Sequence, residues 1–292
     1  MTTFDVLDET GNHDELRERV VDILARVAPL AKTATGLGLP DRVTFRIVTV
    51  KTARAAMTAH MAHLFRTYRE LVPRWKRPFI TLSSIPLLGI VHWRSAVRSE
   101  FLVMGATYTV PGTEESETLL VPEALRHTGV LTDDKYLTSV VIHELVHQIQ
   151  NFKSRNRANW TKNKAMTLLH GGGINFLEEG HACWADQDIT RALYGNAVDV
   201  SSAPTSEEYK KRAGGARGVD VHGVGLLLVA SAIETVGKQE LNEVWNDHRL
   251  LPSRDEVAEA VAALAADKPT RWASRLATAA FVETGVRTSL DD

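Results

Sequence analysis

Two histidines four residues apart, with a glutamate directly after the first, stand at His143, Glu144 and His147 in the run Leu137–Gln150. On an α-helix, residues four apart share a face, so both imidazoles can reach one metal ion. Zinc accepts imidazole nitrogen at about 2.0–2.1 Å, and a catalytic zinc keeps three protein ligands and one position for water. Glu144 lies one residue round from His143, placed to touch that water without binding the metal. Zinc lowers the pKa of a bound water from about 15.7 toward 7. A carboxylate beside it can take the proton and hand it to a leaving amine. These residue types at this spacing point to one Zn2+ per chain, to Glu144 as catalytic base, and to hydrolysis of a peptide or small amide.

The residues around the motif indicate where it sits. Leu137, Val140, Val141, Ile142, Leu145, Val146 and Ile149 cover nearly the whole circumference of a helix, which makes it a buried one. Polar groups inside such a helix must be paired or metal-bound, because an unpaired one costs about 2–7 kcal/mol. Thr132 or Asp133 can cap its start.

A third ligand is sought downstream, among Glu178, Glu179, His181, Cys183 and Asp186 of Phe176–Asp186. Glu179 is the first choice: Gly180 beside it lets the two helices approach, and Leu177 and Ala182 pack inward. Glu178 then falls on a neighbouring face, behind the ligands or exposed. His181 reads as a core histidine or as a contact to ligand or substrate, and Cys183 as a small core residue. Asp186 or Asp188 can accept an N–H from a ligating imidazole, as metal-bound histidine requires. His222, Tyr209 and Arg217 are candidates to stabilise an oxyanion. His222, at the start of a glycine-flanked apolar helix, is favoured.

Other elements must position these groups. Residues 1–12 read as a frayed tail. Helical spacing runs from His13 to Ala31, and Val43–Val50 alternates as a strand. Helical spacing returns from Ala53 to Leu71. Residues 79–122 read as β-rich, with strands at Phe101–Val110 and Thr118–Val121 forming a hairpin. The strand Val103–Thr109 stands ahead of the metal helix, and its small Gly105 and Ala106 would let a peptide backbone lie alongside. Asn151–Ala165 is a basic stretch, read as a solvated loop or as a patch for an anionic substrate. Gly171–Gly173 reads as a turn that brings backbone close to the site. Further helices are expected over Ile174–Tyr194, Val221–Val236, Leu241–His248, Arg254–Ala266 and Trp272–Val282, with Ser253 as a cap.

Phe176–Asp186, centred on Glu179-Gly180-His181-Ala182, resembles the L-E-G-H-A motif of the actinobacterial zincin-like metallopeptidases of type 2, which are labelled as hydrolases associated with deazaflavin coenzyme biosynthesis. Leu119–Pro122 is similar to that family's L-L-V-P-N run. His222–Gly225, Gly237, Leu241–Trp245 and Leu251–Glu256 are similar to its C-terminal pattern. The resemblance covers residues 118–275, and the N-terminal third matches no family. It implies zinc on His143, His147 and Glu179, Glu144 as base, and a mostly helical zincin fold. Two positions depart from the pattern: Val146 stands where the family often has threonine, and Val221-His222 where an aromatic residue is common.

The 292 residues, 44% hydrophobic and 24% charged, can bury a sizeable core. The net charge of −2 gives no global pull toward nucleic acid or anionic membrane. Cys183 is the one cysteine, which rules out an intrachain disulfide. The acidic N-terminus has no apolar core of a signal peptide, and the longest apolar run, Gly223–Ile233, is too short to span a bilayer. The expectation is a cytoplasmic protein with a predominantly helical α+β, zincin-like (gluzincin) fold and no nucleic-acid or membrane partner. It forms one domain: a tail at 1–12, a helical and β-rich part at 13–131 with a small sheet ahead of the metal helix, and a metal-binding helical part at 132–292. A small-molecule amide or ester hydrolase, or a silent binding protein on the same fold, are the alternative readings.

Overall fold

A computed structural model describes residues 2–98, 104–110, 113, 115–154, 173–200, 203, 205–206, 221–265 and 269–288. Residues 3–8 are not a tail. Thr3–Asp8 forms strand β1, paired in parallel with β2, Arg42–Ile47. The run is short and acidic, but Phe4 and Val6 alternate onto the core, and the backbone is satisfied along β2. Asp8 closes the following turn by accepting from the backbone N–H groups of Thr10 and His13. Helix α1, Asp14–Thr35, joins the two parallel strands and ends on Gly36 in the left-handed conformation (φ 69°).

After β2, helix α2, Val50–Leu71, starts under the Thr49 hydroxyl, which accepts from the Thr52 N–H. A single 3₁₀ turn, Arg74–Lys76, leads into helix α3, Arg77–Arg98. Much of the stretch expected to be β-rich is therefore helical. Pro78 sits in the first turn, where its missing N–H costs nothing, and Phe79, Leu82 and Ile85 recur at helical spacing. The expected hairpin is present: β3, Gly105–Thr109, runs antiparallel to β4, Ser116–Leu120. The sheet order is β1-β2-β4-β3, with β2 and β4 parallel, so β3 lies at an edge.

Alternation on β4 divides two cores. Leu120 faces the main core with Val43, Phe45 and Ile47 of β2, while Leu119 joins Val48, Ala53 and Ala124 on the other side. Short helix α4, Pro122–His127, leads to α5, Asp134–Ser154, which carries the H-E-x-x-H motif. Asp133 caps α5 by accepting from the N–H groups of Lys135 and Tyr136. All seven apolar residues used to predict burial of this helix are buried. Gln148 locks α5 to the sheet as another strand would. Its Oε1 accepts from Thr44 N at 3.2 Å, and its Nε2 donates to Thr44 O and to Thr118 Oγ1, both at 2.9 Å.

Helix α6, Ile174–Tyr194, crosses α5. Helix α7, Val221–Asn242, crosses α6 and breaks at Gly237 (φ 85°, ψ 167°). A 3₁₀ turn, Glu243–Trp245, continues it. The resulting Val221–Trp245 extends the apolar run Gly223–Ile233 at both ends and is long and apolar enough to cross a membrane by length and composition alone. The segment expected as a helix over Leu241–His248 is instead the end of α7 followed by 3₁₀ turns at Glu243–Trp245 and His248–Leu250. Helices α8, Arg254–Ala265, and α9, Arg271–Thr288, complete the described chain. Ser253 and Glu256 form a reciprocal cap at the start of α8.

Candidate metal centre

Three helices bring four side chains to one point. From α5, His143 Nε2 and His147 Nε2 lie 3.1 Å apart. From α6, Glu179 Oε2 is 3.1 Å from His143 Nε2 and 3.4 Å from His147 Nε2. From the first turn of α7, His222 Nε2 is 3.2 Å from the same oxygen. Donor atoms bound tetrahedrally at about 2.0–2.1 Å from one zinc stand about 3.3 Å apart. The spacings therefore fit a single divalent cation, with imidazole and carboxylate as the donor set it prefers. The expected ligands His143, His147 and Glu179 are brought together, and His222 joins them.

Electrostatics match this reading. Burial pushes the Glu179 carboxyl up, but the surrounding imidazoles, His147 foremost, outweigh it and hold Glu179 well below the usual carboxylate range. Burial lowers His147, but Glu179 next to it raises the imidazole to about 9. One carboxylate oxygen thus draws three imidazoles, which is the arrangement a cation would stabilise in their place.

Gly180 positions the site in a way the sequence reading did not foresee. It does not ease α6 against α5. A Cβ on Gly180 would lie 2.1 Å from the backbone of Gly225 on α7, and one on Gly225 would lie 2.3 Å from the Phe176 carbonyl. The two glycines let α6 and α7 touch backbone to backbone, which sets His222 beside Glu179. Gly173 likewise packs on Pro252, to whose carbonyl its N–H donates at 3.0 Å, rather than on the metal centre.

The residue that orients His147 is Gln150, not an aspartate. Its Oε1 accepts from His147 Nδ1 at 2.9 Å, which leaves Nε2 turned toward His143 and Glu179, where a cation could be held. Its Nε2 donates to the Glu178 carbonyl at 2.9 Å and lies 3.2 Å from His181 Nδ1. Asp186 instead accepts from the Ser139 hydroxyl at 2.7 Å, and Asp188 is exposed. Burial raises Asp186 to about 8. Glu178 is buried, not solvent-facing, and lines the cavity. His181 is a buried histidine, held down to about 3 by burial and by the neighbouring His147. Cys183 Sγ lies 3.9 Å from His143 Nδ1 on the cavity wall, not in the apolar core. Tyr209 and Arg217 lie outside the described residues, as do Gly171, Gly172 and the basic stretch from Arg155 to Ala165.

Glu144 is held by β3. Thr107 Oγ1 donates to Glu144 Oε2 at 2.7 Å and lies 2.7 Å from Thr118 Oγ1, which receives the Gln148 amide. The donors run one way, from Gln148 through Thr118 and Thr107 to the carboxylate. Gly105 and Thr107 pair with Leu120 and Thr118 on the sheet face that meets α5. A Cβ on Gly105 would stand 2.9 Å from Glu144 Cγ and Oε1. The small residue at 105 thus makes room for Glu144. Tyr108, raised by burial and then by the Glu144 charge, also lines the cavity, with its ring 5.0 Å from that of His60. The cavity is about 850 Å³ and joins β3, from Met104 to Tyr108, with the ligands and with His222.

No protein-family model matches the chain. No curated protein matches it either. The family resemblance therefore rests on its motif residues. Among solved structures, the chain is similar to a crystal structure of "a putative hydrolase with a novel fold" from Chloroflexus aurantiacus, at 14% identity and a TM-score of 0.45, over 91% of each chain. A likeness of that degree carries no argument about fold or activity. The architecture is α+β and mainly helical, with one four-stranded mixed sheet among the described residues.

Thr107, Gln150 and Tyr108 were missed by sequence reasoning. Gln150 alone had a signal. It follows His147 by three positions, within reach of its Nδ1 on the same helix.

Proposed function

We propose that the chain is a zinc-dependent hydrolase of the gluzincin kind, a metallopeptidase or related amidase. The observation that carries this is the convergence of His143, His147 and Glu179 at 3.1–3.4 Å, with the Glu144 carboxylate held beside them on a cavity wall. A zinc ion held there would supply an acidified water and an electrophile for the carbonyl oxygen. The chain's own groups do the rest. Glu144 Oε2 is committed to Thr107, so Oε1 is the oxygen that takes up a proton and returns it to the leaving nitrogen. Gln150 keeps the proton of His147 on Nδ1, away from the metal face. His222 is 62% exposed on the cavity wall, where it can turn from Glu179 to donate to the developing oxyanion. The edge position of β3 suits an extended substrate pairing along Gly105–Thr109.

One observation favours a second reading. His222 clusters with His143 and Glu179, their candidate ligand atoms within 4.8 Å of one another, and if it bound beside His147 as well, four protein ligands would close a zinc site against substrate. A closed site would be structural and the protein silent. Metal analysis and a peptide-library cleavage assay on the native chain and on Glu144→Gln separate these. About one zinc per chain in both, with cleavage by the native chain alone, is expected. No bound metal, or equal cleavage by both, would sink the hydrolase reading. Turnover confined to a small amide or ester would select the small-molecule hydrolase.

A further inference from the structure

The hairpin of α2 and α3 is basic, and four of the seven exposed large hydrophobic side chains among the described residues lie on it. Between Val50 and Arg98 stand nine lysines and arginines against one acid, Glu70, in a protein whose net charge is −2. The turn at its tip holds Arg74, Trp75, Lys76 and Arg77 together. Lys76 Nζ lies 4.9 Å over the Trp75 ring, and Arg77 reaches back to the carbonyls of Glu70 and Val72, which stiffens the turn. From there an apolar stripe runs along α3 at helical spacing. Trp75 is 68% exposed, Phe79 68%, Leu82 72% and Ile85 64%. Among the described elements, α3 packs chiefly along α2 and the tip turn, and these four side chains are left exposed. Large apolar side chains displayed this way mark an interaction surface.

The chemistry around the stripe selects its partner. Residues 78–93 contain no lysine, arginine or carboxylate; Trp75 stands just before them and Trp93 is the last of them. Tryptophan favours the boundary between headgroups and acyl chains, and basic residues just outside it favour anionic lipid. Sixteen uncharged residues, broken by Pro86, fall short of the ~20 needed to cross a bilayer. A protein partner for so basic a face would need an acidic rim around a wide apolar groove, whereas an anionic bilayer offers both features at any orientation. We propose that the α2–α3 hairpin docks the protein on an anionic lipid bilayer, with Trp75, Phe79, Leu82 and Ile85 entering the interface and Arg74, Lys76 and Arg77 meeting the headgroups. Whole-chain charge hides this, because the acids that balance the hairpin lie elsewhere. The inference is independent of the zinc reading.

The test is co-sedimentation of the full chain with vesicles of phosphatidylcholine, with and without phosphatidylserine. Binding is expected to the mixed vesicles, to weaken with salt, and to be weak to phosphatidylcholine alone. Each large apolar side chain that enters the interface is expected to count for about tenfold in partitioning. Phe79→Ser/Leu82→Ser/Ile85→Ser should therefore lower binding by at least about a hundredfold, with the far-UV circular dichroism unchanged. Arg74→Glu/Lys76→Glu should remove the preference for phosphatidylserine, and keeps the idea testable should the triple variant fail to fold. No binding to the mixed vesicles overturns the proposal. So does unchanged binding by the triple variant, which would reduce the contact to charge alone. A dimer in the absence of lipid that the triple variant dissociates, without vesicle binding, would assign the face to a second copy of the chain instead.

Discussion

Replacing Gly105 with alanine tests how the base is held. The added Cβ would stand 2.9 Å from Glu144 Cγ and Oε1 and 3.0 Å from Cδ, against an ordinary contact of 3.4 Å or more. Gly105 is pinned in the β3–β4 ladder opposite Leu120, so the carboxylate must retreat, by about 0.5 Å on these distances. That movement strains the 2.7 Å bond from Thr107 Oγ1, a bond to a charged acceptor that contributes about 1.5–3 kcal/mol. A catalytic group displaced by about 1 Å costs about a hundredfold in rate, so a retreat of about half that costs on the order of tenfold or more. Turnover by Gly105→Ala should fall about 10- to 100-fold with KM little changed, and zinc content should stay at that of the native chain, since no ligand is touched. Thr107→Val should fall into the same range by removing the donor directly. Peptide-library turnover measured beside zinc stoichiometry reads both. Native turnover in Gly105→Ala would refute the role assigned to β3, and loss of zinc would place Glu144 or β3 in the ligand set.

Other consequences follow from the same geometry. Gln150→Leu should weaken zinc about 10- to 100-fold in a competition titration, because His147 loses the acceptor that fixes its ring; unchanged affinity would contradict that role. His222→Ala should retain zinc and lose turnover, whereas loss of the metal would mark His222 as a fourth ligand of a closed site. Asp186 gives a pH signature. Its carboxyl is raised to about 8 from an ordinary 3.8, so the stability owed to its proton is complete below pH 3.8 and lost as pH rises through 8. In denaturant unfolding of the zinc-stripped chain, Asp186→Asn should gain on the native protein from about pH 4 to 8 and level off above; a constant difference would show that Asp186 is not buried as a neutral acid.

The parts of this molecule that were legible are those where one face of one element suffices. His143 and His147 needed only helical spacing, and the burial of their helix only the apolar ring from Leu137 to Ile149. Glu179, which the structure brings beside both imidazoles, could be singled out because it, too, lies in a strongly patterned helix. The Gly105–Leu120 hairpin was visible as two short strands. The misses were relational. Thr107 matters through register, which pairs it with Thr118 and turns both toward Glu144, and no local pattern encodes that. Gly180 was read as a helix-packing glycine, correctly in kind, but its partner is Gly225 on a helix 45 residues further on. Strand β1 was lost because six residues give too little period to outweigh an acidic terminus. Helix α3 was lost inside a stretch that reads as β-rich, because Pro78 and Pro86 interrupt its helical period, although the first of them stands where a helix tolerates proline.

Titration of zinc into the metal-stripped full chain, beside Glu179→Ala, tests the central claim most directly. One site per native chain, tight at neutral pH and weakening as acid protonates the imidazoles, with no such site in Glu179→Ala, is the predicted result. A native chain that takes up no zinc, or a Glu179→Ala variant that binds it as tightly, would contradict the account.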